Sequence, residues 1–134
     1  MPFQIIRDDI TKVKADVIVN TANPYPIIGS GVDSAIYHAA GEKRLLAKRK
    51  KIGRIAPGQA AVTPAYRLSA KYIVHTVGPV WVNGHDGECD ILRSCYENSL
   101  SIAKDLNAKS IALPLIATGN YGFPKGREIG RAHV

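Results

Sequence analysis

A mainly parallel β-sheet covered by helices on both faces is the fold this sequence predicts, and three observations predict it. Short strands that are apolar on both sides alternate with helical segments, the pattern of a sheet buried from above and below. Two of those strands run directly into glycine-rich loops, and in such sheets ligands bind beyond the carboxyl ends of the strands. The chain has 134 residues, enough for one domain and not two. No internal repeat, linker or low-complexity segment interrupts it.

The elements follow in order. Residues 3–7 (FQIIR) read as a short strand. Residues 16–20 (DVIVN) read as a buried strand: β-branched, uncharged after the first residue and bounded by a turn cluster. A helix is expected over residues 32–40, with Asp33 or Ser34 in its first turn and Gly41 at its end. A second helix covers residues 42–51 (EKRLLAKRKK), with Leu45 and Leu46 toward the core and the lysines outward. Residues 59–65 and 71–77 read as strands, stopped by Pro64 and Pro79. Residues 87–106 form the strongest helix, with Ile91, Leu92, Cys95, Ser99, Ile102, Ala103 and Leu106 on one stripe. Residues 110–116 (SIALPLI) return as an almost wholly apolar strand.

Composition narrows the function classes. Hydrophobic residues make up 46% and charged residues 22%, the balance of a globular protein rather than a disordered one. No apolar run is long enough to span a bilayer, and residues 1–4 lack the basic-then-apolar pattern of a signal peptide. Cys89 and Cys95 make no disulfide framework, so a cytoplasmic location is expected. The formal charge of +7 favours anionic partners. The basic run at 42–51 reads as a solvated helix face ahead of a nucleic-acid patch, because it lacks interleaved aromatics. A monomer without a membrane partner is expected.

Two loops carry the candidate chemistry. The first holds Gly29-Ser30-Gly31 just before a helix, where backbone amides can cradle an anion. It is neither a Walker loop nor a dinucleotide fingerprint, since no Gly-Lys-Ser/Thr follows and Ser34 stands at the third glycine position. The second, residues 117–122 (ATGNYG), is again rich in amides. Either alone reads as a tight turn, but two at one sheet edge could clasp a diphosphate. Asn20 and Asn23 either satisfy loop backbone or line the ligand. Asp33 is either an ordinary helix-start charge or a proton acceptor or hydroxyl-binding carboxylate beside the anion site. Asp9 either caps a turn or takes an exocyclic amine. His75 reads as a satisfied core histidine, Cys95 as structural, and residues 85–89 (HDGEC) as a loop and cap lacking a metal-ligand pair. Ser30 has no adjacent histidine to make it a nucleophile.

Five segments in order, residues 9–11 (DIT), 15–23 (ADVIVNTAN), 31–41 (GVDSAIYHAAG), 75–81 (HTVGPVW) and 114–126 (PLIATGNYGFPKG), resemble the macro domain family of ADP-ribose-binding modules. The resemblance spans residues 3–125. It implies a three-layer α/β/α sandwich with a mixed, mainly parallel sheet and ADP-ribose across the strand ends. It implies that Asp9 holds the adenine amine beside the Ile10 amide. Gly29, Ser30, Gly31 and Val32 would line the diphosphate from one loop, and Thr118, Gly119, Asn120 and Tyr121 from the other. Asn23 and Asp33 match the pair that, in the hydrolase branch, positions the distal ribose and its attacking water. That branch removes ADP-ribose from acidic side chains or acetate from O-acetyl-ADP-ribose, with no metal or other cofactor. The alternatives are a non-catalytic ADP-ribose reader, or a basic RNA or poly(ADP-ribose) binder using residues 43–51.

This sequence departs from the family pattern in several places. Ile28 and Ser30 replace loop glycines, Pro24 and Pro26 stiffen the segment before them, and Asp8 stands where glycine is common. Family members also continue past the second loop with a helix and a further strand. Residues 128–134 resemble the translation of a sequencing adapter. The expectation is therefore an incomplete domain over residues 1–127 and an artefactual tail at 128–134.

Overall fold

A computed structural model describes residues 8–80 and 87–116. Its order is a 3-10 turn (Ile10–Lys12), β1 (Val17–Thr21), α1 (Val32–Ala40), α2 (Glu42–Ile52), β2 (Ala60–Pro64), β3 (Tyr72–Thr76), α3 (Glu88–Asp105) and β4 (Ile111–Ala112). The expected strand at 3–7, the second loop from residue 117 onward and the tail at 128–134 lie outside the described residues.

The sheet runs β2-β3-β1-β4. β1 is parallel to both β3 and β4, whereas β2 is antiparallel to β3, so the sheet is mixed and mainly parallel, as expected. The pleat sends alternate residues to opposite faces. Val17, Val19 and Val74 pack on one face with Leu92, Cys95, Tyr96 and Ala103 of α3. Ile18 and Ile73 pack on the other with Ile36, Tyr37 and Ala40 of α1 and Leu45 of α2. Helices therefore cover both faces, giving the three layers. These strand and helix side chains are almost fully buried, and each valine, leucine and isoleucine among them contributes about 1.5–3 kcal/mol by leaving water.

Two expectations need correction. The strand expected over 110–116 forms a ladder only at Ile111 and Ala112. Pro114 has no N–H to donate, so the ladder cannot run through it. In α2 the outward basic face is incomplete: Arg49 is buried along with Leu45. The two are four residues apart and share one helix face. Lys43, Arg44, Lys48, Lys50 and Lys51 remain exposed. Among the described residues, no helix is long and apolar enough to cross a membrane.

Candidate functional site

The site grows from the carboxyl end of β1. Ile18 and Asn20 are two residues apart on one face, so the strand that packs Ile18 against α1 also aims Asn20 at α1. There its side-chain Nδ2 donates to Asp33 Oδ1 at 2.7 Å. The second carboxylate oxygen, Oδ2, accepts the Gly29 amide at 2.6 Å. Asp33 thus ties the strand end to the glycine-rich loop from the first turn of α1. It is only 3% exposed. Burial raises its pKa above the ordinary carboxylate range, against the opposing pull of the Asn20 and Gly29 donors and the Arg49 charge.

The loop glycines are required at two positions. A side chain at Gly29 would place its Cβ 3.1 Å from Asp33 Oδ2, inside ordinary contact distance. Gly31, which caps α1, has φ 64° and ψ −129°, a conformation that L-residues avoid. Beyond it the amides of Val32, Asp33 and Ser34 open the helix, where backbone N–H groups have no intrahelical carbonyl. The Gly29 amide is directed inward to Asp33.

Sequence reasoning missed the clamp that holds the loop. Arg49 donates to the Gly53 carbonyl and, through Nη2, to the carbonyls of Asn23 at 3.0 Å and Pro24 at 3.2 Å. The Ile55 amide meets the Pro24 carbonyl at 2.8 Å. One buried guanidinium therefore joins the end of α2 to the segment that carries Asn23. Its charge opposes that of Asp33 across the site. Tyr37, on α1 between them, is pushed up to about 12 by burial and by the Asp33 charge. The signal in the sequence was the Leu45-to-Arg49 spacing of four, followed by glycine at 53.

Besides the expected pair of Asn23 and Asp33, which the resemblance assigns to the distal ribose and its water, the structure joins Asp33 to a second asparagine. Asn20 touches Asp33, while Asn23 Oδ1 accepts the Tyr25 amide at 3.0 Å and shapes its own loop. His75 and Thr63 extend the Asp33–Asn20 contact into the core: Asn20 Nδ2 lies 3.1 Å from His75 Nδ1, and His75 Nε2 lies 2.9 Å from Thr63 Oγ1. Asp9 caps the 3-10 turn, its Oδ1 accepting the Thr11 amide at 3.0 Å and the Thr11 hydroxyl at 2.7 Å. The hydroxyl and then the amide hold its pKa below the usual carboxylate value. Asp9 is exposed and Ile10 half-buried. Ser30 and Gly31 are exposed and Val32 half-buried beside Asp33. Thr118, Gly119, Asn120 and Tyr121 lie outside the described residues.

The chain entering that second loop is nevertheless anchored. Tyr96 of α3 donates its hydroxyl to the Pro114 carbonyl and accepts the Ile116 amide at 3.2 Å. Among the described residues no three His, Cys, Asp or Glu side chains converge as a metal site. A groove lined by Leu100, Ala103 and Ile111 sits at the amino end of β4, on the edge opposite Asn20.

A mixed, mainly parallel sheet with helices on both faces and a glycine-rich loop at its strand ends, braced by a buried aspartate, defines a three-layer α/β/α module. A family model described as the macro domain matches residues 19–129, and the chain belongs to that family. A macro domain-containing protein of Methanosarcina mazei is 49% identical over 130 residues, covering 97% of this chain and 69% of its own length. A Cronobacter turicensis protein named O-acetyl-ADP-ribose deacetylase is 46% identical over 126 residues, covering 92% and 72%. The Oceanobacillus iheyensis macrodomain solved with ADP superposes with a TM-score of 0.89 at 37% identity, covering 94% of this chain and 70% of that one.

Proposed function

We propose that the protein binds ADP-ribose across the strand ends and hydrolyses ADP-ribosyl esters, releasing ADP-ribose from an acidic side chain or acetate from O-acetyl-ADP-ribose. The observation that carries this reading is the buried Asp33 carboxylate at the mouth of the Gly29–Gly31 loop, bonded to Asn20 and Gly29. Support also comes from the relative named O-acetyl-ADP-ribose deacetylase and the neighbour solved with ADP.

In this reading the diphosphate rests on the amides of the first loop and of the α1 N-terminus, where the helix dipole favours negative charge. Asp9, at the turn before β1, takes the adenine amine. The distal ribose lies toward Asn23 and Asp33. A carboxylate oxygen has two lone pairs, so an Asp33 oxygen that already accepts one donor can accept a hydrogen from water. Asp33 then orients that water or removes its proton, and a pKa raised toward working pH suits a base. In the deacetylase reaction, water adds to the acetyl carbon and the bond to the ribose oxygen breaks. Acetate leaves and the ribose hydroxyl takes the proton. The protein supplies position and charge, and ADP-ribose is substrate rather than cofactor.

The test follows acetate release from O-acetyl-ADP-ribose by proton NMR. The wild-type protein is expected to release acetate above the blank, and Asp33→Ala to lose about 10²–10⁴-fold in turnover, the range for a general base. Undiminished hydrolysis in Asp33→Ala would reject the catalytic assignment. ADP-ribose binding without any wild-type hydrolysis would favour the reader function.

A further inference from the structure

We propose that His75 is a positioning residue of this site: held between Thr63 and Asn20, it locks the Asn20 carboxamide with its NH2 toward Asp33, and so fixes the carboxylate that shapes the Gly29 loop. The inference about turnover rests on the hydrolase reading above; the inference about the hydrogen-bond chain does not.

The chain is built by the sheet. Asn20 and His75 are register partners on adjacent parallel strands. Thr63 lies one diagonal step away on antiparallel β2, where Ala61 pairs with His75 and Thr63 with Ile73. All three face the α1–α2 layer and are buried to within 1%. Three strands therefore contribute one polar side chain each to a row that ends at α1.

The direction of the donors follows from the far end. The Thr63 hydroxyl donates to the Pro64 carbonyl at 3.1 Å, so its oxygen is the acceptor toward His75. Nε2 of His75 must then carry the proton, leaving Nδ1 as a lone pair. That lone pair accepts one hydrogen of the Asn20 NH2, and Asp33 Oδ1 accepts the other. Turning the amide over would place Asn20 Oδ1 against both a carboxylate and an imidazole lone pair. Burial also keeps the ring neutral, lowering its pKa to about 3, which preserves the lone pair.

One further atom fits this account. Among the described residues, Asn20 Oδ1 is buried without a hydrogen-bond partner. An amide free to choose would turn that oxygen toward a donor. Here the orientation is dictated by the acceptors on the NH2 side, and His75 supplies one of the two.

Two conservative variants separate the halves of the ring. His75→Asn keeps an acceptor near the Nδ1 position and loses the reach to Thr63. His75→Gln keeps a donor near Nε2 and loses the acceptor facing Asn20. A structural role alone would make them comparable. The proposal expects His75→Gln to lower kcat roughly ten- to a hundredfold, the scale of a small misplacement of a catalytic group, with little change in KM. It expects His75→Asn to stay close to wild type in kcat. The Gly29 amide proton, bonded to a carboxylate, should resonate far downfield in wild type and in His75→Asn, and move upfield in His75→Gln. Equal losses of kcat in both variants, or a Gly29 resonance unmoved by His75→Gln, would overturn the proposal.

The wild-type ring supplies a measurement that needs no variant. Long-range proton–nitrogen correlation should show His75 as the Nε2–H tautomer at neutral pH. An Nδ1–H tautomer or an imidazolium would overturn the proposal even if both variants failed to fold. Absence of wild-type hydrolysis would reject the hydrolase reading alone, and the Gly29 and His75 resonances would still decide the role of His75.

Discussion

Asp33 accepts two donors through two different oxygens, which makes its substitutions informative in distinct ways. Asp33→Asn cannot mimic the native geometry, because its amide would turn a donor toward either Asn20 Nδ2 or the Gly29 amide. We expect it to lose about 1–3 kcal/mol of stability, the cost of an unsatisfied buried donor. Chemical denaturation checks this, and a variant as stable as wild type would show that the two bonds contribute little. Gly31→Ala places an L-residue at φ 64° and ψ −129° and should cost about 1–3 kcal/mol through backbone strain alone. Sequence reasoning found Asp33, Gly29 and Gly31 because each sits in a short, punctuated loop. It did not reveal the Asn20–Asp33 bond, because side-chain aim depends on the pleat. The usable clue was that Ile18 and Asn20 share parity: a strand that buries Ile18 against α1 sends Asn20 the same way.

At the scale of elements, α2 matters more than its charge suggests. Its run of lysines and arginines reads as one solvated face, yet Arg49 turns inward and holds three carbonyls. Replacing it with methionine keeps the apolar stem and takes the Arg49 donor from the Gly53 and Asn23 carbonyls, leaving Pro24 the Ile55 amide. We expect a loss of at least about 3 kcal/mol and weaker ADP-ribose binding, since the Asn23–Pro24 segment loses its tether. A melting temperature within a degree or two of wild type would refute the clamp. α3 offers the opposite prediction. Ser99 is fully buried and, among the described residues, its Oγ has no hydrogen-bond partner. Ser99→Ala should therefore stabilise the protein by up to about 1 kcal/mol. The helices were legible because their ends are marked: Gly31 and Gly41 bracket α1, and Gly53 closes α2. β4 was read too long because an apolar run does not reveal where pairing stops.

For the molecule as a whole, pH links the core to stability. His75 stays neutral in the fold down to about pH 3, whereas an unfolded histidine titrates near 6.5. Between those values the unfolded chain binds more protons, so the His75 contribution is complete above about 6.5 and is lost as pH falls. Asp33 works in the other sense: its raised pKa means that stability declines as pH climbs above 3.8 toward the folded value. His75→Gln should remove up to about 1.4 kcal/mol per pH unit of slope between these limits, measured by denaturation across that range. An unchanged slope would place the pH dependence elsewhere.

The sandwich itself was legible because burial on both faces leaves an unmistakable pattern in short strands. The polar row through Thr63, His75 and Asn20 was not, because it is assembled from three strands by register, and register is a property of the folded sheet. The central claim is that the strand-end loop and its braces form an ADP-ribose cleft. Its most direct test is a thermal melt with and without excess ADP-ribose, with AMP as the control. ADP-ribose at a hundred times its dissociation constant should add about 2.7 kcal/mol, raising the transition well beyond the effect of AMP. A transition that ADP-ribose moves no further than AMP does would contradict the account.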